Sequence, residues 1–137
     1  MKPPLHRQIV VIDDHADTAE VVVEMLRRMK YQACAIPSDR RVLQRLTDIS
    51  ANGGIELIVT DLFMPEPDGF EIIRYVRSHL SWVPVIGMSG GHTAMLSSML
   101  TFGAAAIIEK PIDPVTLKTL VDRTLLRLPR DLPAPSH

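Results

Sequence analysis

The sequence Ile9-Val10-Val11-Ile12-Asp13-Asp14 joins four consecutive β-branched residues to a pair of carboxylates. Consecutive apolar residues of this kind are typical of a strand that is buried on both faces of a parallel sheet. Four more short apolar runs follow along the chain, at residues 32–36, 57–60, 83–88 and 105–108. Together with residues 9–12, they predict five strands.

Stretches with apolar residues at helical spacing follow these runs, as in Val22, Val23 and Leu26. Polar residues that favour the first position of a helix precede three of them; these predicted caps are Ser38, Asp68 and Asp113. Strand and helix therefore alternate five times. This alternation predicts an α/β fold, doubly wound, in which right-handed crossovers build a five-stranded parallel sheet.

Length and composition indicate one ordinary globular domain. The chain has 137 residues, of which 46% are hydrophobic, and a net charge of -1. We expect a single domain over residues 5–128, with flexible tails at 1–4 and 129–137. A near-neutral charge gives no general drive toward nucleic acid. The apolar runs are too short to span a bilayer, and the single cysteine, Cys34, fits a reducing compartment, so we expect a cytoplasmic protein.

Polar side chains follow four of the predicted strands. In parallel sheets the carboxyl ends of the strands form the edge where ligands bind, so these residues are expected to converge. They are Asp13, Asp14, Asp61, Ser89, Gly90, Gly91 and Lys110.

This set of groups suits phosphoryl transfer to an aspartate. Clustered carboxylates repel one another, and Mg²⁺, which prefers carboxylate, water and phosphate oxygens, relieves that repulsion. A carboxylate can also act as a nucleophile and form an acyl phosphate. Lys110, the Ser89 hydroxyl and the backbone N–H groups near Gly90 would then stabilise the charge of the phosphoryl group.

The order and spacing of these residues resemble the receiver domain of two-component response regulators. The resemblance covers residues 8–128 and rests on Asp13-Asp14, on Asp61-Leu62-Phe63-Met64-Pro65-Glu66-Pro67-Asp68-Gly69, on Ser89 and on Lys110-Pro111. It implies a flavodoxin-like fold with strand order 2-1-3-4-5. It also implies a phosphorylation-controlled switch that catalyses its own phosphorylation and dephosphorylation and is not a conventional enzyme.

The resemblance assigns a role to each site residue. Asp61 becomes the phosphoacceptor, Ser89 bonds a phosphoryl oxygen, and Lys110, expected before a cis proline bond, neutralises charge. Magnesium is placed on Asp13, Asp14, Asp61 and the backbone carbonyl of Phe63. None of the five histidines is expected to bind metal, and His15 is interpreted as a solvated loop residue.

The resemblance also implies partners. A sensor histidine kinase or a histidine phosphotransfer protein would supply the phosphoryl group from a phosphohistidine. A downstream protein, or a second copy in a homodimer, would dock on the face made by the fourth predicted helix, the fifth strand and the fifth helix. That fourth helix carries two apolar stripes, formed by Met95, Met99 and Phe102 and by Leu96 and Leu100. One stripe suffices for the core, so the other is expected to be exposed for docking; the alternative is that the helix lies in a groove and both stripes are buried. No direct contact with nucleic acid or a membrane is expected.

Two positions depart from the family pattern. Ile107 stands where receivers usually carry a tyrosine or phenylalanine that moves on phosphorylation. Gly90 stands where alanine is frequent, and Gly91 follows it. We therefore expect signalling without the usual aromatic switch and a flexible loop after Ser89.

Alternative interpretations concern the same residues. A degenerate receiver would bind partners independently of phosphorylation, but the complete set of acids, hydroxyl and lysine argues against it. Gly87-Met88-Ser89-Gly90-Gly91 matches the G-x-S-x-G motif of serine hydrolases, with Asp113 or Asp122 and then His137 as partners. That hypothesis leaves the three strand-end aspartates unexplained. We expect a stand-alone receiver, and a receiver excised from a longer hybrid protein is the alternative.

Overall fold

The computed structural model describes residues 7–52, 54–91, 100 and 102–126. Its elements, in chain order, are β1 (Gln8–Ile12), α1 (Ala16–Arg28), β2 (Ala33–Ile36), α2 (Val42–Ala51), β3 (Ile55–Asp61), α3 (Gly69–His79), β4 (Val85–Ser89), β5 (Ala106–Glu109) and α4 (Pro114–Leu126). The helix labelled α4 is the fifth helix of the sequence prediction. Most of the fourth predicted helix lies outside the described residues, as do both predicted tails. Within the described residues, no helix has the length and apolar character needed to cross a membrane.

The five strands form one sheet in the order β2-β1-β3-β4-β5, and every neighbouring pair is parallel. The predicted fold class and strand order are therefore confirmed. Each strand lies within two residues of its predicted run at both ends, and β2, which is at the sheet edge, is the shortest together with β5.

Both faces of the sheet are covered, as the β-branched runs predicted. Residues Ile9 and Val11 of β1 point to one face and Val10 and Ile12 to the other, and all four side chains are fully buried. Helices α1 and α4 pack on the first face, and α2 and α3 on the second. Burial of each such aliphatic side chain contributes about 1.5–3 kcal/mol to folding. The strand ends are thus held on a rigid core.

Two of the predicted helix starts are confirmed. The Asp68 carboxylate accepts the Glu71 backbone N–H at 2.9 Å, and the Glu71 side chain accepts the Asp68 N–H in return, which completes a capping box. At the start of α4, the Asp113 carboxylate accepts the Thr116 backbone N–H at 2.8 Å. Both caps follow loops that carry site residues, so they fix where those loops end.

The predicted cap Ser38 is wrong. Helix α2 begins later, with Arg41 as its N-cap residue, because the Asp39 carboxylate accepts the Arg41 N–H at 2.9 Å and forms a separate turn first. The Ser38 hydroxyl instead donates to the sulfur of Met64 at 3.2 Å, across to the loop after β3.

Candidate functional site

Asp13 and Asp61 are brought together by the pairing of β1 with β3. Ile12 pairs with Thr60, so Asp13, directly after β1, and Asp61, the last residue of β3, follow the same pair of the sheet. Both aspartates are nearly buried, with 4% and 5% of their surface exposed. Two neighbouring carboxylates in so little water repel each other and need a cation.

Lys110 supplies a positive charge to both carboxylates. It follows β5, where its backbone N–H donates to the Ser89 carbonyl oxygen at 2.7 Å. Its Nζ atom donates to Oδ2 of Asp13 at 2.8 Å and lies 3.2 Å from Oδ2 of Asp61. The Lys110–Pro111 peptide bond is cis, as the resemblance implied.

The electrostatics of the site reflect this crowding. Burial raises the pKa of Asp61; the Lys110 ammonium opposes that effect and the neighbouring Asp13 charge adds to it, so the net shift is upward. Burial alone would lower the pKa of Lys110, but its hydrogen bond to Asp13 and the charges of Asp61 and Asp13 outweigh burial and raise it. The two carboxylates thus raise the pKa of Lys110, while burial keeps the pKa of Asp61 above its usual range.

The acidic groups fit a divalent cation. One donor atom from each of Asp13, Asp14, His15 and Asp61 lies within 4.8 Å of the others. Three of these donors are carboxylates, which are the hard oxygen ligands that Mg²⁺ prefers. Phe63 is anchored at the same place, because its backbone N–H hydrogen-bonds to Asp61. The predicted role of the Phe63 carbonyl as a metal ligand stays a prediction.

His15 lies beside the acid pair. Its ring is exposed, as expected of a loop residue, but Nδ1 lies 3.2 Å from Oδ1 of Asp14 and 3.5 Å from Oδ1 of Asp13. Its backbone N–H also donates to Asp13 at 2.8 Å, a local turn that orients the buried carboxylate. The position of His15 directly after Asp13 and Asp14 in the sequence is the feature that could have indicated these contacts.

Ser89 ends β4 with its side chain fully buried, whereas Gly90 and Gly91 are exposed. Gly91 has a φ of +105°, a backbone conformation that disfavours other residues. A buried hydroxyl differs from the exposed nucleophile that the serine hydrolase hypothesis requires. Asp113, one of its proposed partners, caps α4, and His137 lies outside the described residues.

Ile107 points away from the α1 and α4 face. It is half-buried and packs against the apolar core between the sheet and helices α2 and α3. The position three residues before Lys110 is thus occupied by an aliphatic side chain within the core.

Gly69 has a steric role that the sequence analysis did not predict. A Cβ atom at this position would lie 2.6 Å from the backbone oxygen of Asp61 and 2.6 Å from Cα of Leu62. Gly87 of β4 is similar, since its Cβ would lie 2.7 Å from the Leu62 side chain. The first turn of α3 therefore approaches the end of β3 at a distance that glycine alone permits.

Comparison with known proteins agrees with this geometry. The family model described as the response regulator receiver domain matches residues 9–122. The two-component response regulator ORR7 of Oryza sativa subsp. japonica is 29% identical over 120 residues, which cover 85% of this chain and 56% of that protein. The chain thus spans about half the length of this relative.

Solved structures share the fold. A response regulator receiver domain protein from Clostridium thermocellum has a TM-score of 0.79 at 23% identity, covering 88% of this chain and 95% of that one. The complex of CheX, CheY, BeF3 and Mg from Borrelia burgdorferi gives 0.77 at 18% identity, covering 86% and 88%. The family match extends from β1 into α4, and so includes every strand end described above. This chain therefore belongs to the response regulator receiver domain family.

Proposed function

We propose that Asp61 accepts a phosphoryl group from a phosphohistidine of a sensor histidine kinase or a histidine phosphotransfer protein. The observation that carries this proposal is the position of Lys110, whose ammonium contacts both Asp13 and Asp61 at the end of the sheet. This contact places a fixed positive charge beside the nucleophile. Receiver domains act in phosphorylation-controlled signalling, and the proposal assigns the acceptor within this chain.

The reaction is a simple displacement at phosphorus. An Asp61 oxygen attacks the phosphorus atom of a phosphohistidine that is protonated on its other ring nitrogen. The bond from phosphorus to the histidine nitrogen breaks, its electron pair stays on that nitrogen, and a neutral imidazole leaves with an acyl phosphate formed on Asp61. Lys110 balances the charge that the phosphoryl oxygens bring into the site. The Ser89 hydroxyl, after a movement of the exposed Gly90-Gly91 loop, donates to one of those oxygens.

The metal of this proposal is Mg²⁺, held by Asp13, Asp14 and Asp61, with the Phe63 carbonyl as a further ligand. When bound, it neutralises negative charge on the carboxylates and the phosphoryl oxygens. The clustered donor atoms support this assignment. The related complex from Borrelia burgdorferi was solved with Mg and BeF3, which supports the same chemistry here by analogy.

The product is a switch. The acyl phosphate changes which proteins the domain binds, and attack of water on phosphorus later returns the Asp61 carboxylate and free phosphate. The domain acts catalytically on itself alone. The degenerate alternative, a module that binds partners without phosphorylation, predicts neither metal binding nor phosphate uptake.

The test is incubation with Mg²⁺ and acetyl phosphate, followed by intact-mass measurement. We expect a gain of one phosphoryl group that requires magnesium and is lost in Asp61→Ala. Asp48→Ala, on the exposed side of α2, is the matched control and should behave as wild type. Phosphorylation that persists undiminished in Asp61→Ala refutes the acceptor. Titration calorimetry should show weaker Mg²⁺ binding in Asp14→Ala, and an absence of magnesium binding in the wild type would favour the degenerate module.

A further inference from the structure

Three phenylalanine rings contact one another in a row that begins at Phe63, two residues after Asp61. The rings of Phe63 and Phe70 have centroids 6.2 Å apart at an interplanar angle of 71°. The rings of Phe70 and Phe102 are 5.4 Å apart at 86°. Both pairs have the edge-to-face geometry that aromatic rings prefer. The guanidinium carbon of Arg74 lies 5.9 Å from the Phe102 centroid, so the far end of the row is held by a cation.

The row connects three separate parts of the chain. Phe63 lies two residues after Asp61, and its backbone N–H is bonded to that carboxylate. Phe70 belongs to the first turn of α3, which Gly69 fixes against the Asp61 backbone. Phe102 lies ahead of β5. The acceptor loop is thus joined through side chains to the segment that precedes β5.

Burial alone does not fix the two outer rings. Phe63 is 37% exposed and Phe102 is 42% exposed, whereas Phe70 between them is half-buried. A ring with this much exposure keeps rotamer freedom unless specific contacts restrict it. The row supplies contacts that restrict both Phe63 and Phe102, with Phe70 at its centre.

We propose that Phe70 and Phe102 are positioning residues that hold the Phe63 ring beside Asp61, where it limits the access of water to the aspartyl phosphate. The proposal rests on the proposed function of Asp61. Phe102 does not contact the acceptor and acts through Phe70. The row thereby links the lifetime of the phosphate to the segment ahead of β5. This link does not need an aromatic residue at position 107, where this chain has isoleucine.

The first test measures decay of the phosphorylated protein by intact mass after removal of the phosphodonor. We expect Phe102→Leu, which keeps an apolar side chain and removes the ring, to accelerate decay about threefold, since one edge-to-face contact is lost. Phe102→Tyr keeps the ring and should decay as wild type. Trp82→Leu, which removes an exposed ring outside the row, is the matched control and should also decay as wild type. Equal decay of the leucine and tyrosine variants would overturn the proposal.

The second test asks whether Phe102 acts through Phe63. In a Phe63→Leu background, the additional change Phe102→Leu should leave the decay rate unchanged, because the ring that it positions is gone. The same acceleration in both backgrounds would show that Phe102 acts by another route and would overturn the proposal.

The third test does not require phosphorylation. In the unmodified protein, NMR should show contacts between the Phe63 and Phe70 rings that weaken in Phe102→Leu and are retained in Phe102→Tyr. If the contacts between the Phe63 and Phe70 rings are the same in Phe102→Leu as in the wild type, the positioning role is wrong. A wild-type protein that shows these ring contacts but takes up no phosphate would instead refute the proposed function, so the two failures are distinguishable.

Discussion

The ammonium nitrogen of Lys110 lies 3.2 Å from Oδ2 of Asp61, the carboxylate at the end of β3. The same nitrogen is 2.8 Å from Oδ2 of Asp13. One side chain from the end of β5 therefore holds two nearly buried carboxylates of the central strands. The contact stabilises the resting site, and it also occupies carboxylate oxygens that a divalent cation would use.

This competition gives a prediction for Lys110→Ala. Removing one partner of a largely buried ion pair leaves repelling carboxylates, so the metal-free protein should lose about 1–3 kcal/mol of unfolding free energy. Magnesium should bind about five- to tenfold more tightly, because it no longer competes with the ammonium. Urea unfolding and titration calorimetry measure the two effects.

The matched control for Lys110→Ala is Lys118→Ala, which removes an ion pair to Asp122 on the exposed surface of α4. In that variant the free energy of unfolding and the affinity for Mg²⁺ should change little, since surface ion pairs contribute about 0–1 kcal/mol. Weaker magnesium binding in Lys110→Ala would contradict the competition. Phosphorylation of Lys110→Ala should also change partner binding less than phosphorylation of the wild type does, because the ammonium that compensates the phosphoryl charge is missing.

A second prediction concerns the glycine at the start of α3. In Gly69→Ala the new Cβ would meet the backbone of Asp61 and Leu62 at 2.6 Å, and backbone atoms cannot move aside as a side chain can. The unfolding free energy should fall by about 1–3 kcal/mol, as in other overpacked sites. Phosphorylation should slow as well, because the acceptor strand must shift.

Gly90→Ala is the control for this steric effect, since a Cβ at that position meets no atom of the described residues within 4 Å. Its unfolding free energy should stay within about 0.5 kcal/mol of wild type. Chemical denaturation of the two variants side by side checks the prediction. A Gly69→Ala protein as stable as Gly90→Ala would show that the close approach at α3 has no energetic consequence.

The fold was largely predictable because its signals are local. Runs such as residues 9–12 are apolar at every position, and burial on both faces produces that pattern directly. The caps Asp68 and Asp113 were found for the same reason, since a cap acts within its own first turn. The prediction of Ser38 as a cap was wrong because the neighbouring Asp39 carboxylate accepts the Arg41 backbone N–H and delays the start of α2.

The contacts within the site were less predictable, because they depend on approach between distant segments. The convergence of Asp13, Asp61 and Lys110 follows from the parallel sheet, and the structure shows it. The steric demand on Gly69 does not follow from spacing, since it arises where α3 crosses the end of β3. The row from Phe63 to Phe102 joins residues 39 positions apart, and nothing in the local sequence indicates it.

A third prediction concerns Phe63 itself. It lies two residues after Asp61, and its backbone N–H hydrogen-bonds to that carboxylate. Gly91, in the loop after Ser89, has no side chain that could orient an attacking water. We therefore expect slow hydrolysis of the aspartyl phosphate in the wild type. Phe63→Asn should accelerate it by about tenfold, because an amide can hydrogen-bond the water that attacks phosphorus.

The control for the polar group is Phe63→Leu, which removes the ring without adding a hydrogen-bonding group and should accelerate decay less than asparagine does. Decay rates come from intact mass at intervals after the phosphodonor is removed. An unchanged or slower decay in Phe63→Asn would argue against a role of this side chain in phosphate lifetime.

The last prediction concerns the apolar face ahead of β5. Leu100 is 49% exposed, whereas Met95, Leu96 and Met99 lie outside the described residues. A leucine with this exposure contributes little to the core, so Leu100→Glu should fold and take up phosphate, with an unfolding free energy within about 0.5 kcal/mol of wild type. If the face is a docking surface for a second copy, a charge in its centre should abolish association.

Sedimentation velocity with and without acetyl phosphate and magnesium measures this association. We expect the wild type to associate on phosphorylation, and Leu100→Glu to remain monomeric although it is phosphorylated. Val21→Glu places the same charge on an exposed position of α1 and should associate as wild type. Unfolding of Leu100→Glu would show that the leucine belongs to the core. Association that is unaltered in this variant, or absent in the wild type, would rule out a self-docking role for the face.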